Sequence, residues 1–142
     1  MRANSQDQVQ LLWREKYGDK IYYPHQLSDG TIRFICLATL LLQPDPPSTI
    51  IIDEPELGLH PSAITTLAGM LRLAEDRAQI IVSTQSSPLV DHLEIEDIMV
   101  IDRVDGATTL KKLYEDDFQE WMDEYSLGEL WDKNLLGGMP QV

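Results

Sequence analysis

Two adjacent carboxylates, Asp53 and Glu54, follow the apolar run Thr49-Ile50-Ile51-Ile52. This β-branched run predicts a strand that is covered on both faces in a parallel sheet. In open α/β sheets, ligands bind outside the carboxyl ends of the strands, where this pair would lie. Phosphoryl transfer needs one carboxylate that holds Mg²⁺ and another that orients and deprotonates water. We predict the first role for Asp53 and the second for Glu54, with a plain acidic turn as the alternative.

A second candidate segment, Leu27-Ser28-Asp29-Gly30-Thr31, immediately precedes an apolar stretch that is typical of a helix. Gly30 permits close approach of the backbone, and the first N–H groups of a helix have no partners within the helix. Such N–H groups form a site for anions. The alternative is a simple helix cap, in which Ser28 or Asp29 accepts hydrogen bonds from these N–H groups.

Hydroxyl and amide side chains also follow a second apolar strand, Gln79-Ile80-Ile81-Val82-Ser83. They belong to the segment Ser83-Thr84-Gln85-Ser86-Ser87-Pro88, which an ordinary strand-to-loop transition explains equally well in isolation. If the two strands are neighbours, their carboxyl ends meet at one edge of the sheet. The order and spacing of the three segments therefore predict that they converge there.

The hydrophobic pattern predicts the elements that would position these segments. Thr31–Leu42 is almost wholly apolar and predicts a buried helix, which the prolines after Gln43 end. A second helix is predicted from Pro61 to about Asp76, because its apolar residues recur at helical spacing. This second helix lies between the two apolar strands, so the three elements form a βαβ unit and indicate the α/β class.

Flanking segments complete the predicted architecture. Val9–Trp13 and Ile21–Tyr23 predict an N-terminal β-hairpin, while Ile98–Ile101 and Thr108–Leu113 predict two paired strands. Beyond Glu115 the pattern changes to acidic helices with an aromatic stripe, which predicts packing against the sheet or a hairpin. A surface that docks a partner is the alternative.

Composition limits the classes of protein to consider. The chain has 142 residues, of which 43% are hydrophobic, and its formal net charge is −13. We expect one soluble cytoplasmic domain that repels a phosphate backbone, so any contact with nucleic acid would be indirect. No apolar stretch reaches the length of a membrane span, and the N-terminus lacks the apolar core of a signal peptide. The single cysteine, Cys36, is predicted to be a small buried hydrophobe.

In this order the segments resemble the C-terminal half of an ABC-type ATPase head, as in RecF-like and SMC-like ATPases of the AAA family. The matching motifs are the signature motif (Leu27-Ser28-Asp29-Gly30-Thr31), Walker B with its catalytic glutamate (Ile50-Ile51-Ile52-Asp53-Glu54), the D-loop (Leu57-Gly58-Leu59-His60-Pro61) and the switch segment (Ser83-Thr84-Gln85-Ser86). The resemblance implies a P-loop NTPase-like fold, a mainly parallel sheet flanked by helices, without the half that carries Walker A. It also implies a single unit with a hairpin at 1–26, a core that bears the motifs at 27–102, and an edge strand with an acidic helical tail at 103–142.

The resemblance further implies that two heads enclose two ATP molecules between them. Ser28 and Gly30 of one head would contact the γ-phosphate of the ATP that the other head holds. Asp29 stands where glycine is often found, and it would point away from the phosphate or contact the partner head. The segment around His60 would follow the dimer interface.

The catalytic residues and cofactors follow from the same resemblance. Asp53 would lie near Mg²⁺, and Glu54 would polarise the water that attacks ATP. Gln85 stands where such heads commonly have histidine. A glutamine donates a hydrogen bond to phosphate but carries no titrating proton.

A phosphate-binding Walker A loop is missing from the sequence. That loop needs G-x-x-x-x-G-K-[ST], and no Gly-Lys pair occurs among the 142 residues. The resemblance places the loop before the hairpin, so we expect the chain to begin partway through a head and to be inactive as an ATPase alone. Its partner would be a second copy or an N-terminal half that bears Walker A.

Two other functions stay open at this point. One is a non-catalytic module that dimerises without independent nucleotide binding, which the missing Walker A loop favours. The other is a metal-dependent nuclease, although its acidic residues are better explained as a solvated sheet edge. Those residues are Glu94, Glu96, Asp97, Asp102 and Asp105. A role of the ATPase in DNA repair or phage defence is implied by the resemblance alone.

Overall fold

Strands and helices alternate along the residues that the computed structural model describes, which are 2–3 and 9–138. The strands are β1 (Arg2–Ala3), β2 (Val9–Gln10), β3 (Trp13–Arg14), β4 (Ile21–Tyr22), β5 (Thr49–Asp53), β6 (Gln79–Ser83), β7 (Met99–Val104) and β8 (Ala107–Lys112). The helices are α1 (Asp29–Leu42), α2 (Pro61–Glu75), α3 (Ser87–Val90), α4 (Gln119–Met122) and α5 (Leu127–Asp132). The predicted α/β class is confirmed.

The predicted βαβ unit is formed by β5, α2 and β6. β5 and β6 pair in parallel, and their last residues, Asp53 and Ser83, stand opposite each other. α2 begins with Pro61, whose fixed φ suits the first position of a helix. The buried residues of α2 recur at three- and four-residue spacing and form one face. They include Ile64, Leu67, Ala68, Leu71 and Ala74.

α1 packs against α2 and shares its hydrophobic cluster with the β5–β6 sheet. The helix begins two residues before the predicted start, because Ser28 caps it, and it ends ahead of Pro44 as predicted. Leu37 and Leu41, one turn apart, are its buried residues and join Ile50 in that cluster. This packing fixes the start of α1 relative to the carboxyl ends of the two strands.

The prediction that the strands are covered on both faces is wrong. Side chains alternate between the two faces of a strand, so Ile51 and its cross-strand neighbour Ile81 lie on the face away from the hydrophobic cluster. Ile51 is 74% exposed and Ile81 is 46% exposed. Within the described residues, the helices cover the other face only.

α1 is also buried on one side only, which corrects two predictions. The apolar run predicts a buried helix with a buried Cys36, but Cys36 is exposed. Successive residues of an α-helix are turned by roughly 100°, so Cys36 lies on a different face from its buried neighbour Leu37. A continuous apolar run indicates a helix without indicating which of its faces is covered.

The N-terminal hairpin forms with a shorter first strand than predicted. β3 pairs with β4 in an antiparallel arrangement, with Trp13 opposite Tyr22. β2, at the start of the predicted strand Val9–Trp13, pairs with β1 instead. The segment therefore divides into two strands that have different partners.

β7 and β8 form the predicted antiparallel pair near the C-terminal end. Their two-residue loop is Asp105-Gly106, with φ values of 51° and 82°. Positive φ at both central residues is the geometry of a type I′ turn, for which Asp-Gly is a preferred sequence. The turn signal in the sequence is thus confirmed.

The acidic tail forms the short helices α4 and α5, and α5 contributes to a second hydrophobic cluster. Tyr125, Leu127 and Trp131 pack against this cluster, as predicted for the aromatic stripe, whereas Trp121 is 45% exposed. The buried members of the cluster are Ile95, Val100, Leu113, Phe118, Leu130 and Leu136.

None of the helices in the described ranges is long and apolar enough to cross a lipid bilayer.

Candidate functional site

Asp53 ends β5 at the carboxyl edge of the parallel pair, as the sequence predicts. Ser83, its neighbour on β6, donates a hydrogen bond from Oγ to Asp53 Oδ1. Asp53 is exposed. An exposed carboxylate that a hydroxyl group orients is the kind of oxygen donor that Mg²⁺ prefers.

Glu54 follows directly and is partly buried. Its N–H donates to the carbonyl oxygen of Ser83 over 2.9 Å, which extends the ladder between β5 and β6. Gln85 Nε2 donates to Glu54 Oε1 over 3.2 Å. The segments after the two strands therefore converge, as the parallel order of the strands predicts.

The backbone of Glu54 has an unusual conformation. Its φ is 42°, in the left-handed region that few residues other than glycine adopt. The Glu54 carbonyl oxygen accepts hydrogen bonds from the N–H of Leu57 at 3.2 Å and from Arg33 Nη1 at 3.0 Å. Sequence reasoning misses Arg33, which stands out only as the single charge in the apolar stretch Thr31–Leu42.

The start of α1 and the turn after β5 meet backbone to backbone. A β-carbon on Gly30 would collide with the carbonyl oxygen of Gly58, and it would lie 3.9 Å from the backbone nitrogen of Leu59. Gly58 has a φ of 78°, a conformation that glycine adopts without a steric penalty. The two segments that resemble the signature motif and the D-loop are thus in direct contact.

Ser28 and His60 act as helix caps. Ser28 Oγ accepts from the N–H of Thr31 at 3.1 Å at the start of α1, and His60 Nδ1 accepts from the N–H of Ser62 at 3.3 Å at the start of α2. Asp29 is exposed in the first turn of α1, where the helix dipole favours a carboxylate. The capping interpretation of Ser28 is confirmed, and its contact with phosphate stays a prediction.

A second pair of side chains links the same two loops. Thr84 Oγ1 donates to Glu56 Oε1 over 2.6 Å and accepts from the N–H of Ser86 at 3.0 Å. Glu56 Oε2 is buried and has no hydrogen-bond partner among the described residues. Sequence reasoning misses Glu56, although a second glutamate two residues after Glu54 is a visible signal.

Comparison with known proteins identifies the family of this chain. Residues 2–91 match the family described as "AAA domain, putative AbiEii toxin, Type IV TA system". The chain belongs to this AAA domain family. The predicted resemblance to ABC-type ATPases of the AAA family is therefore confirmed.

A curated relative of this AAA domain chain is the energy-coupling factor transporter ATP-binding protein EcfA of Methanosphaera stadtmanae. The two sequences are 31% identical over 141 residues. The match covers 96% of this chain and 48% of EcfA, so the chain spans about half the length of that relative.

Solved structures of SMC ATPases share the fold. A chain from a study of "ATP-driven dimerization and DNA stimulated activation of SMC ATPases" matches with a TM-score of 0.59 and 16% identity, over 75% of this chain and 66% of that chain. An SMC head bound to the C-winged helix domain of ScpA matches with a TM-score of 0.62 and 18% identity, over 72% of this chain and 32% of that chain. The AAA domain chain thus has the predicted P-loop NTPase fold of SMC heads.

The residues of this AAA domain chain fit part of a site for Mg²⁺ and ATP. Asp53 and Ser83 offer exposed oxygen atoms for Mg²⁺ at the edge of the sheet. The first turn of α1, where Gly30 lies, offers backbone N–H groups to an anion. A lysine-bearing phosphate loop does not occur in the sequence, which has no Gly-Lys pair. The donor set fits the metal ion and a terminal phosphate, and it does not fit the whole nucleotide.

Two of the acidic residues outside this site, Glu94 and Asp102, make contacts that need no metal ion. Glu94 forms an ion pair with Arg72 at 2.7 Å, and Asp102 Oδ1 accepts from the N–H of Arg103 at 2.7 Å. Across 2–3 and 9–138, no group of three or more His, Cys, Asp or Glu side chains is arranged to hold a metal ion. The interpretation of these acidic residues as a solvated sheet edge stays a prediction.

Proposed function

We propose that this chain supplies the signature motif, the Walker B carboxylates and the switch segment of an ABC-type, RecF-like ATPase that binds and hydrolyses ATP with Mg²⁺. The observation that carries the proposal is the pair of contacts across β5 and β6, Ser83 with Asp53 and Gln85 with Glu54. Phosphoryl transfer needs a carboxylate for the metal ion and another for water. Two adjacent carboxylates, each held by a polar side chain, fit those roles.

In this proposal Asp53 would hold Mg²⁺, and Glu54 would orient and deprotonate the attacking water. Gln85 fixes the Glu54 carboxylate through Oε1, so Oε2 would accept the proton of the water. A glutamine side chain donates hydrogen bonds but does not exchange a proton near neutral pH. Gln85 would therefore position Glu54 or phosphate without relaying a proton.

The nucleotide would lie between two heads. Ser28 and Gly30 would contact the γ-phosphate held by the partner, with Asp29 directed towards that partner and His60 near the interface. The contact between Gly30 and Gly58 supports this arrangement, because it joins the two interface segments into one surface. Since the sequence has no Gly-Lys pair, Walker A would come from an N-terminal half, and two such composite heads would form the dimer.

The cellular role is proposed from the family. Its description names an AbiEii toxin and a Type IV TA system, and we favour phage defence in the cytoplasm, with DNA repair as the other role that a RecF-like head implies. The net charge of −13 opposes direct binding to a phosphate backbone. Any contact with DNA would therefore pass through a partner.

Reconstitution of ATP turnover tests this function. The chain is combined with an N-terminal half of an ABC-type head that bears Walker A, and hydrolysis of Mg-ATP is measured. Glu54→Gln should lower the rate by about 100-fold or more, because glutamine does not accept the proton of water. Glu75→Gln, the same change at the exposed end of α2, should leave the rate unchanged. Turnover that survives Glu54→Gln would contradict the proposal.

Calorimetric titration of Mg-ATP into the chain alone tests the need for Walker A. We expect no saturable heat, because the lysine and the N–H groups that hold the phosphates are missing. Saturable binding would mean that the motifs of this chain hold nucleotide without that loop.

The exposed face of the β5–β6 sheet favours a second candidate, a non-catalytic module that dimerises. Ile51 and Ile81 are neighbours across the parallel pair and are 74% and 46% exposed. Exposed adjoining apolar side chains mark surfaces that associate. This candidate predicts association without nucleotide and no turnover in the reconstitution.

A further inference from the structure

The backbone conformation of Glu54 needs a structural cause. The described residues other than glycine with positive φ are Glu54, Asp105 and Asn134. Aspartate and asparagine are enriched in the left-handed region, and glutamate is not. Asp105 also lies in a hairpin turn that demands positive φ. For Glu54 the conformation must be imposed by its surroundings, since strained backbone persists only where neighbouring groups hold it.

Three hydrogen bonds hold the peptide groups of Glu54. Its N–H donates to Ser83 O at 2.9 Å, and its carbonyl oxygen accepts from the N–H of Leu57 at 3.2 Å. The third donor is Arg33 Nη1, at 3.0 Å from the same carbonyl oxygen. Only this third bond comes from a side chain. A charged donor makes a stronger hydrogen bond than a neutral one.

Arg33 also links two parts of the candidate site. It lies three residues after Gly30 on α1, so both residues face the same side of the helix. Gly30 packs against Gly58 while Arg33 reaches the carbonyl oxygen of Glu54. α1 therefore contacts the turn after β5 at both ends of the segment 54–58. A movement of the start of α1 would be transmitted to the backbone that carries the Glu54 carboxylate.

We propose that Arg33 is a positioning residue that holds the backbone of Glu54 in the left-handed conformation and thereby couples the start of α1 to the Glu54 carboxylate. The effect of Arg33 on catalysis rests on the function proposed above, whereas its effect on the Glu54 backbone does not. The role assigned to Arg33 is exerted through the main chain of Glu54 and requires no contact with ATP or the attacking water.

Nuclear magnetic resonance of the whole isotope-labelled chain tests the backbone effect. The ¹³Cα and ¹³Cβ chemical shifts of Glu54 depend on its φ and ψ, and a strong intraresidue HN–Hα nuclear Overhauser effect marks a positive φ. Arg33→Met keeps an aliphatic stem but removes the donors, so it should move these shifts away from left-handed values. Arg33→Lys restores one charged donor and should return the shifts towards those of the parent chain.

Arg77→Met is the matched control. Arg77 is an exposed arginine that donates to the backbone carbonyl oxygens of Gln43 and Leu41, both at 2.9 Å. Its loss should leave the Glu54 shifts unchanged. The proposal is overturned if Arg33→Met also leaves them unchanged, if Arg77→Met moves them equally, or if Glu54 in the parent chain lacks left-handed shifts.

The catalytic effect is measured in the reconstitution with a Walker A half. Arg33→Met should lower turnover by up to about 100-fold, the size of effect that a misplaced catalytic group produces. Arg33→Lys should recover part of the rate, and Arg77→Met should retain it. If the unsubstituted chain and the Walker A half together show no turnover, that result counts against the proposed function. The chemical shifts of Glu54 would still decide the role of Arg33.

Discussion

The carbonyl oxygen of Gly58 fills the space that a β-carbon on Gly30 would occupy, and the Gly58 carbonyl carbon lies 3.1 Å from that position. The contact joins the first turn of α1 to the turn after β5, two segments separated in the sequence by the rest of α1 and by β5. Because both partners are backbone, neither can yield by rotating a side chain. The two segments therefore pack against each other with no side chain between them at this point.

Gly30→Ala should damage this contact. The added methyl group overpacks the backbone of Gly58, and overpacking typically lowers the free energy of unfolding by about 1–3 kcal/mol. Urea unfolding measures the change. Gly69→Ala on α2 is the control, because nothing lies within 4 Å of its new β-carbon. Alanine there should raise the free energy of unfolding by about 0.5–1 kcal/mol. An equal change in the free energy of unfolding for Gly30→Ala and Gly69→Ala would contradict the contact between Gly30 and Gly58.

Substitution of Ser28 separates its cap from its predicted contact with phosphate. Ser28→Ala removes the acceptor for the N–H of Thr31, which should lower the free energy of unfolding by about 0.5–2 kcal/mol. Ser28→Asp keeps an acceptor and should keep that stability. Its negative charge repels the γ-phosphate, so ATP-driven association in the reconstituted ATPase should be lost.

Two outcomes would refute these roles of Ser28 separately. Urea unfolding that shows equal destabilisation by alanine and aspartate would argue against the cap. Normal association of Ser28→Asp with ATP, measured by light scattering, would argue against the contact with phosphate.

The convergence of Asp53, Glu54 and Gln85 could be predicted from the sequence, because it depends on local patterns. Two apolar strands joined by one amphipathic helix are typical of a βαβ unit, whose strands are parallel, and neighbouring parallel strands end at the same edge of a sheet. The residues after each strand therefore meet if the two strands are neighbours, as β5 and β6 are. The observed contacts of Asp53 with Ser83 and of Glu54 with Gln85 follow from this rule.

Arg33, by contrast, could not be predicted, because its contact depends on the packing of two elements. It reaches Glu54 across 21 residues of sequence, and the distance is set by how α1 sits on α2 and the sheet. The exposure of Cys36 and Ile51 was unpredictable for the same reason. An apolar pattern defines the period of an element, whereas its burial depends on which neighbours are present.

Gly128 anchors α5 to α3, and its substitution should loosen the C-terminal region. The N–H of Gly128 donates to Asp91 Oδ1 at 2.6 Å, and a β-carbon there would lie 2.6 Å from the carbonyl oxygen of Ser87. Gly128→Ala should therefore lower the free energy of unfolding by about 1–3 kcal/mol. Hydrogen exchange should show lost protection in α5 and retained protection in α2.

Asp91 provides a matched pair of variants for the same anchor. Asp91→Asn keeps the oxygen that accepts from Gly128, whereas Asp91→Ala removes it. Alanine should increase exchange in α5 more than asparagine does. If Gly128→Ala and Asp91→Ala both leave exchange in α5 unchanged, the anchor is not significant in solution.

The face that carries Ile51 should make the isolated chain associate. Ile51 adjoins Ile81 across the parallel pair, and both are exposed, so a second copy would remove two large apolar side chains from water. Ile51→Gln should weaken association by about tenfold or more, since burial of one such side chain contributes about 1.5–3 kcal/mol. Leu73→Gln is the control, because Leu73 is 62% exposed on α2, away from this face. Light scattering over a range of concentrations measures the effect. A monomer at every concentration, or equal weakening by Leu73→Gln, would show that the face does not associate and would also remove the support for a non-catalytic dimerisation module.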